Sequence, residues 1–333
     1  QALGTFAHAM GPLFVPHIPR CMEVLDVTAT YVHPKVRSFT IYPMETFVHC
    51  INLAYPPANP WVLGSNPEAH PLAPESQEFA SNMIEMFLKR IVADFDLGVV
   101  ARYVEGITFI MNTLGAPALY DHMPAVAAAI LKVLHMETVA HVMETDNGDG
   151  ENEEIAHELL LVFDNACDFI IALAKQYQSG FGIWFPLLEG LIKHLTVDGE
   201  LSADDGSERY RQEAVGALAE VTEACTVHAF SPEQVRVLLA QGIKSLSDPH
   251  ESTRCNAIYL LRLVTLSPES FDWWQPITNI VVPLLADEDD QTVDNANGCI
   301  ASMIQTNPSL LPMTELLPAW LEAFPVRTDQ IES

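Results

Sequence analysis

Amphipathic helical patterns come in pairs that recur about every 40 residues along this 333-residue chain, and no other feature limits the fold as tightly. A pair of that size cannot bury its apolar face alone, so its neighbours must stack on it. The first elements read as a helix ending near Met10, then a pair at 12–30 and 34–53. Further pairs are expected at 75–95 with 97–114, 121–143 with 153–177, 181–196 with 207–227, 231–246 with 251–267 and 273–286 with 290–306. A last helix at 312–323 stands without a partner. Runs of alternating β-branched residues are missing, so no strand is expected.

The expectation is therefore an all-α fold: a HEAT-repeat α-solenoid, a superhelix of antiparallel helix pairs running as one continuous array of about seven units over 1–333. Both ends fall partway through a repeat, as expected for a segment of a longer solenoid. Two stretches interrupt the periodicity. YPPANPWVLGSNPEAHPLAP at 55–74 is too rich in Pro for a helix and reads as a loop between repeats, and ETDNGDGENEE at 144–154 reads as an acidic, solvated loop.

Composition narrows the function. Hydrophobic residues make up 49% of the chain, which calls for a folded core. The longest apolar runs are broken by charge before the roughly 20 residues that span a bilayer, so no membrane helix is expected. Six scattered cysteines without a CxxC read as buried thiols in a reducing compartment. Against 44 acidic residues stand 16 basic ones, a formal charge of −28, which argues against direct nucleic-acid binding and for a basic partner. The same acidity could also serve only to keep an apolar-rich protein in solution.

Motifs of catalysis fail on spacing. His157-Glu158 opens an HExxH, but Leu161 occupies the second histidine's place. TDNGDGENEE puts Thr145 and Ala156 at positions where a calcium loop needs oxygen ligands. GFG at 180–182 lacks a preceding strand and reads as a turn. No enzyme, metal site or cofactor is expected.

Polar residues inside the helical patterns carry more information. In LLLVFDNACDFIIALAK (159–175), Asp164 and Asp168 form an i,i+4 pair beside Asn165. Like charges at that spacing repel by a few tenths of a kcal/mol unless a cation comes between them. In 207–224, Glu213 and Glu220 lie two turns apart on one face, and in 252–264 Asn256 and Tyr259 lie one turn apart. TVDNANGCIASMI (292–304) adds Asp294 and Asn295 to a helix otherwise patterned for a core. Stacked repeats would align these residues as a ladder of carboxylates and amides suited to an extended basic peptide. Carboxylates attract ammonium groups, amides bond a peptide backbone, and rings flank lysine stems. A merely solvated face is the plainer alternative. Trp184, Trp273, Trp274 and Trp320 are expected to pack between helices, and Trp61 in the Pro-rich loop to be exposed.

VRSFT (36–40), STRCNAIYLL (252–261), VDNANGCIASMI (293–304) and FPVRTDQIE near the end together resemble the C-terminal repeats of β-karyopherins of the importin-4 type, including its yeast counterpart. The likeness covers essentially the whole chain. Val293 and Thr253 depart from it, standing where the family usually has Arg and Val, which interrupts the family's run of arginine contacts between repeats.

The resemblance implies a nuclear import receptor shuttling between cytoplasm and nucleus, holding lysine-rich cargo on a concave wall. The implied cargo is a basic nuclear-localisation peptide, the histone H3 tail and H3/H4, with a histone chaperone as a further candidate. Ran-GTP and nucleoporins are implied as partners of the full-length receptor only. Asp164, Asp168, Glu213, Glu220, Asn256, Tyr259, Asp294 and Asn295 are the expected cargo-contacting residues. Two other readings stay open: an acidic histone chaperone-like HEAT scaffold, and a HEAT regulatory subunit of a phosphatase or kinase complex.

Overall fold

A computed structural model describes residues 2–146, 153–195 and 207–323. Among the described residues there are helices and turns and no strand. They form two compact units, Gln1–Tyr177 and Gln178–Ser333.

The first unit holds α1 (Ala2–Met10), α2 (Ile18–Thr28), α3 (Pro34–Ser38), α4 (Ile41–Ala54), α5 (Pro74–Ala93), α6 (Leu97–Leu114), α7 (Met123–Leu134), α8 (Val139–Asp146) and α9 (Glu153–Tyr177). Its pairs make two layers. The 3₁₀ turn at 11–17 that opens α2 packs on α4, α5 packs on α6, and α7 packs on α9. We call α2, α5 and α7 the leading helices; the following helices α4, α6 and α9 stack on one another in chain order. Helix α6 is the centre of this unit: Leu97, Val100, Tyr103, Val104, Ile107 and Ile110 are all buried, so it is apolar around most of its circumference.

The second unit repeats the scheme with α10 (Phe185–Ile192), α11 (Glu208–Cys225), α12 (Pro232–Ser245), α13 (Glu251–Val264), α14 (Trp274–Val281), α15 (Asp290–Thr306) and α16 (Met313–Glu322). Here α10, α12 and α14 lead, and α11, α13 and α15 form the following stack. The helices fall within the spans expected from periodicity, except that 121–143 is split into α7 and α8 and 181–196 is α-helical only over Phe185–Ile192. The acidic loop at 144–154 and the segment FPVRTDQIE lie largely or wholly outside the described residues.

Short polar motifs set where following helices begin. Asp96 caps α6 by accepting from the Val99 N–H at 2.9 Å, and Asp289 caps α15 by accepting from the Thr292 N–H at 2.7 Å. Two residues earlier, Asp94 and Asp287 accept the N–H of those capping residues, as Asp248 does for His250 ahead of α13. The Asp of this turn also ties pairs together. Arg37 on α3 makes a bidentate bridge to Asp94, 2.8 and 2.9 Å, with both side chains almost wholly buried. Its remaining nitrogen donates to the Tyr31 and Val32 carbonyls. Arg211 on α11 reaches Asp248 through its Nε at 2.7 Å, again with both side chains buried. The turns at Asp94 and Asp248 are therefore each fastened to the preceding pair by a buried ion pair.

The stretch 116–143 is long and apolar enough to cross a membrane by length and composition. It is not one straight helix, since Met136 adopts a positive φ of 57° between α7 and α8. Ala116, Leu119, Met123, Val126, Ile130 and Val133 bury in the core of the first unit, which accounts for the run's hydropathy without a bilayer.

The Pro-rich loop is docked. Trp61, expected to be exposed, is half-buried and donates its indole N–H to Gln176 Oε1 at 2.6 Å, while the Gly64 N–H donates to the Gln176 carbonyl at 2.8 Å. The Tyr120 hydroxyl donates to Glu68 at 2.6 Å. The indole lies against Gly115, whose φ is +85° and where an added Cβ would stand 2.5 Å from the Trp61 ring. Only glycine meets both conditions. The loop thus straps the end of α6 to the end of α9.

Two outcomes follow from these contacts. Asp94→Ala leaves the Arg37 guanidinium buried and unpaired, and should destabilise the first unit by about 3–5 kcal/mol in thermal unfolding; a loss below about 1 kcal/mol would show that the bridge is dispensable. Gly115→Ala should release the strap, making 55–74 a site of rapid limited proteolysis, whereas an unchanged cleavage pattern would contradict its docking.

Candidate functional site

Three asparagines fix the register of the following helices. Asn165 on α9 donates its amide to the Ala101 carbonyl of α6 at 3.0 Å. Asn256 on α13 donates to the Gln212 carbonyl of α11 at 3.1 Å, and Asn295 on α15 to the Cys255 carbonyl of α13 at 3.2 Å. In each case the donor meets the residue one position earlier on the helix before it. Within each unit, then, levels can be assigned from one helix to the next.

In the second unit the rung level holds Glu213, Asn256 and Asn295, so three of the expected residues do line up on consecutive helices. Asp294 sits one position off, level with Cys255 and Gln212. Two residues before the rung, Arg211 and Arg254 give way to Val293, which is fully buried on α15. Arg254 donates to the Asp248 and Pro249 carbonyls at 2.9 Å each.

The polar run in α15 is not an open surface. Asp294 is 8%, Asn295 9% and Asn297 3% exposed. Asn295 is there because its amide closes a rung, with Cys255 Sγ as a second acceptor at 3.2 Å. Nothing in the structure explains Asn297, whose side-chain nitrogen and oxygen are buried without a hydrogen-bond partner. Asn256 likewise uses its amide in the stack, and Gly216 makes room for it: a Cβ there would stand 3.0 Å from Asn256 Nδ2.

More open groups surround Tyr259, four residues along α13 from Cys255. The ring is half-buried, and its hydroxyl bonds Glu223, a residue the sequence reading did not single out. Burial first, and Glu223 second, push the phenol well above its ordinary range. Glu220 and Arg262 lie close enough to act on it with opposite signs. Arg262 crosses α15 where Gly298 has no side chain, since a Cβ there would fall 2.9 Å from its Cδ. Glu220, Glu223, Tyr259 and Arg262 thus make one exposed patch on α11 and α13.

The first unit carries its own patch. Asp168 on α9 and Glu105 on α6 share one level, four residues past Asp164 and Ala101. The Asp168 carboxyl is pushed up, chiefly by partial desolvation and also by Glu105, against the pull of Lys175. On α4, Glu45 is pushed up to about 7, by desolvation foremost and by Glu105, despite Arg102 nearby. Arg102 pairs with Glu105 and lies over the Tyr42 ring, 4.6 Å from its centroid. Asp164 is half-buried at the next level. One guanidinium therefore faces Glu45 and Glu105, with Asp168 beyond them; partial desolvation, with a smaller push from Glu105, raises both shifted carboxyls.

Among the expected residues, Asp164 with Asp168, and Glu220 with Tyr259, are brought together within their units. Glu45, Glu105, Glu223 and Arg262 were missed. For Glu45 and Glu105 the signal lay only in carboxylates meeting across helices, which needs the rung alignment to be seen, whereas Glu223 stood three residues from Glu220 on α11. Among the described residues there is no group of three or more His, Cys, Asp or Glu placed to hold a metal ion.

Comparison with known proteins agrees with this architecture. No protein-family model matches the chain. The probable importin subunit beta-4 of Schizosaccharomyces pombe is 23% identical over 358 residues, covering 100% of this chain and 31% of that protein. Importin-4 of Homo sapiens is 20% identical over 258 residues, covering 76% of this chain and 23% of its own length. Among solved structures, Kap121p bound to RanGTP superposes with a TM-score of 0.67 at 14% identity, and Kap121p bound to Pho4p with 0.66 at 16%; each alignment covers 98% of this chain and 29% of the other. The chain spans between about a quarter and a third of the length of the curated relatives it matches. In sequence the chain is thus similar to these two importins, and in its helical-repeat fold to Kap121p.

Proposed function

We propose that the chain is a cargo-holding region, from the C-terminal part, of a nuclear import receptor that shuttles between cytoplasm and nucleus, and that it binds lysine-rich segments such as the histone H3 tail along its following helices. The observation that carries this reading is an acidic patch on the following helices of each unit: Glu45, Glu105 and Asp168 in the first, and Glu220 and Glu223 beside Tyr259 in the second. Carboxyls shifted upward by burial and by one another favour an arriving cation, which lowers the cost of their ionisation. Tyr259 offers a ring to a lysine stem, a contact of about 0.5–2 kcal/mol. An overall charge of −28 steers such a segment inward.

Support also comes from the relatives. Kap121p has been solved bound to Ste12p, to Pho4p, to Nup53p and to RanGTP. Ran-GTP and nucleoporins are accordingly proposed as partners of the full-length receptor. The chain has no catalytic role in this reading. An acidic HEAT scaffold would share the patches but lack nucleotide-dependent release of cargo.

Titrating a histidine-free H3-tail peptide against the 333-residue chain tests the reading. Glu220→Ala with Glu223→Ala, and separately Asp164→Ala with Asp168→Ala, should each weaken binding by about 3- to 10-fold at low salt, with the difference shrinking as salt rises. Unchanged affinity in both double variants would refute the assignment. A pH signature is also expected. Glu45 is largely protonated below pH 7 and ionised above it, so affinity should rise between pH 6 and pH 8, and Glu45→Gln should flatten that rise. An equal rise in the variant would place the titrating group elsewhere.

A further inference from the structure

The leading helices of the first unit enclose a groove that the cargo reading does not use. It lies between α2 and α5 with a volume of about 750 Å³, within the roughly 300–1,000 Å³ typical of ligand sites. Ile18, Ile51 and Met83 are buried in its floor, and Met22, Phe79 and Met86 stand half-buried along its walls. Thioether side chains suit a surface that must adapt to an incoming apolar face.

Its rim is charged on one side of the balance. Along α5, Glu75, Glu78, Asn82, Glu85 and Lys89 follow one another at helical spacing, and Asp26 faces them from α2. Four carboxylates thus border the groove against one ammonium. From Glu75 to Lys89 the rim runs about 21 Å, the length of a helix of four turns. A floor that takes apolar side chains, with acids spaced along its edge, complements a helix whose apolar residues recur at i, i+3, i+4 and i+7 and whose flanks are basic.

We infer that this groove is a docking site for a basic amphipathic helix of a partner protein, on the opposite layer of the first unit from the proposed cargo patches. Its recognition is independent of those patches. Apolar burial supplies the affinity, while the rim selects the sign of charge and speeds encounter.

The probe is a labelled 14-residue peptide of Leu and Lys with leucines at i, i+3, i+4 and i+7, titrated against the 333-residue chain by fluorescence anisotropy. Binding should be saturable, and Glu78→Lys with Glu85→Lys, both exposed positions, should weaken it about tenfold while leaving the melting temperature unchanged. Met86→Ala should weaken it in the same direction. A scrambled isomer of equal composition, and a Leu/Ser peptide of the same periodicity, should bind at least about tenfold more weakly. A lysine-only peptide at equal concentration should not displace the probe. Equal binding of the scrambled or the uncharged peptide, displacement by lysine alone, or wild-type affinity in the rim variant would each overturn the assignment.

Discussion

Hydrogen bonds from asparagine amides to the backbone of the preceding following helix are the constraint on which the rest of the structure depends. An α-helix has no free donors along its length, so two stacked helices can slide past one another unless a side chain fixes their offset. Asn165, Asn256 and Asn295 do this, each reaching the carbonyl one position earlier on its neighbour. The Arg37–Asp94 and Arg211–Asp248 bridges fasten the turns in the same direction of stacking. Once levels are fixed, carboxylates placed at helical spacing on separate helices meet in space. Glu105 and Asp168 are neighbours for that reason.

Periodicity sufficed for the helix pairs because amphipathic spacing is a property of consecutive residues. The strap was not visible in that way. Trp61 sits among prolines and lacks a periodic context, and its partner Gln176 lies more than a hundred residues downstream. The paired-acid turns at 94–96 and 287–289 were legible as acidic breaks, but their work is done by one carboxylate capping a helix and another accepting a turn N–H, to which Asp94 adds an arginine from the previous pair. Their short spacing, directly before an apolar helix, is a signal that sequence reading could use.

The candidate site was only half legible, for a physical reason. Residue type tells which side chains could meet a cation, whereas burial decides which are open to one. Asn256 and Asn295 were singled out as amides for a peptide backbone, and their N–H groups hold neighbouring helices instead. Glu45 drew no attention because it is the one carboxylate of α4, and Glu223 because the two-turn spacing of Glu213 and Glu220 on the same helix was taken as the signal. Only the stacking puts the first beside Arg102 and Glu105 and the second against Tyr259. The same stacking separates the functions proposed for the two layers, with charge gathered on the following helices and an apolar groove left between leading ones.

The central claim is that in-register carboxylates on following helices receive a cationic chain, and amide hydrogen exchange with and without a lysine-rich peptide tests it most directly. Added peptide should slow exchange in α9 around Asp164 to Asp168 and in α11 and α13 around Glu220 to Arg262, leaving α5, α7 and α12 as they were. Protection confined to the leading helices, or absent from both patches at saturating peptide, would contradict the account.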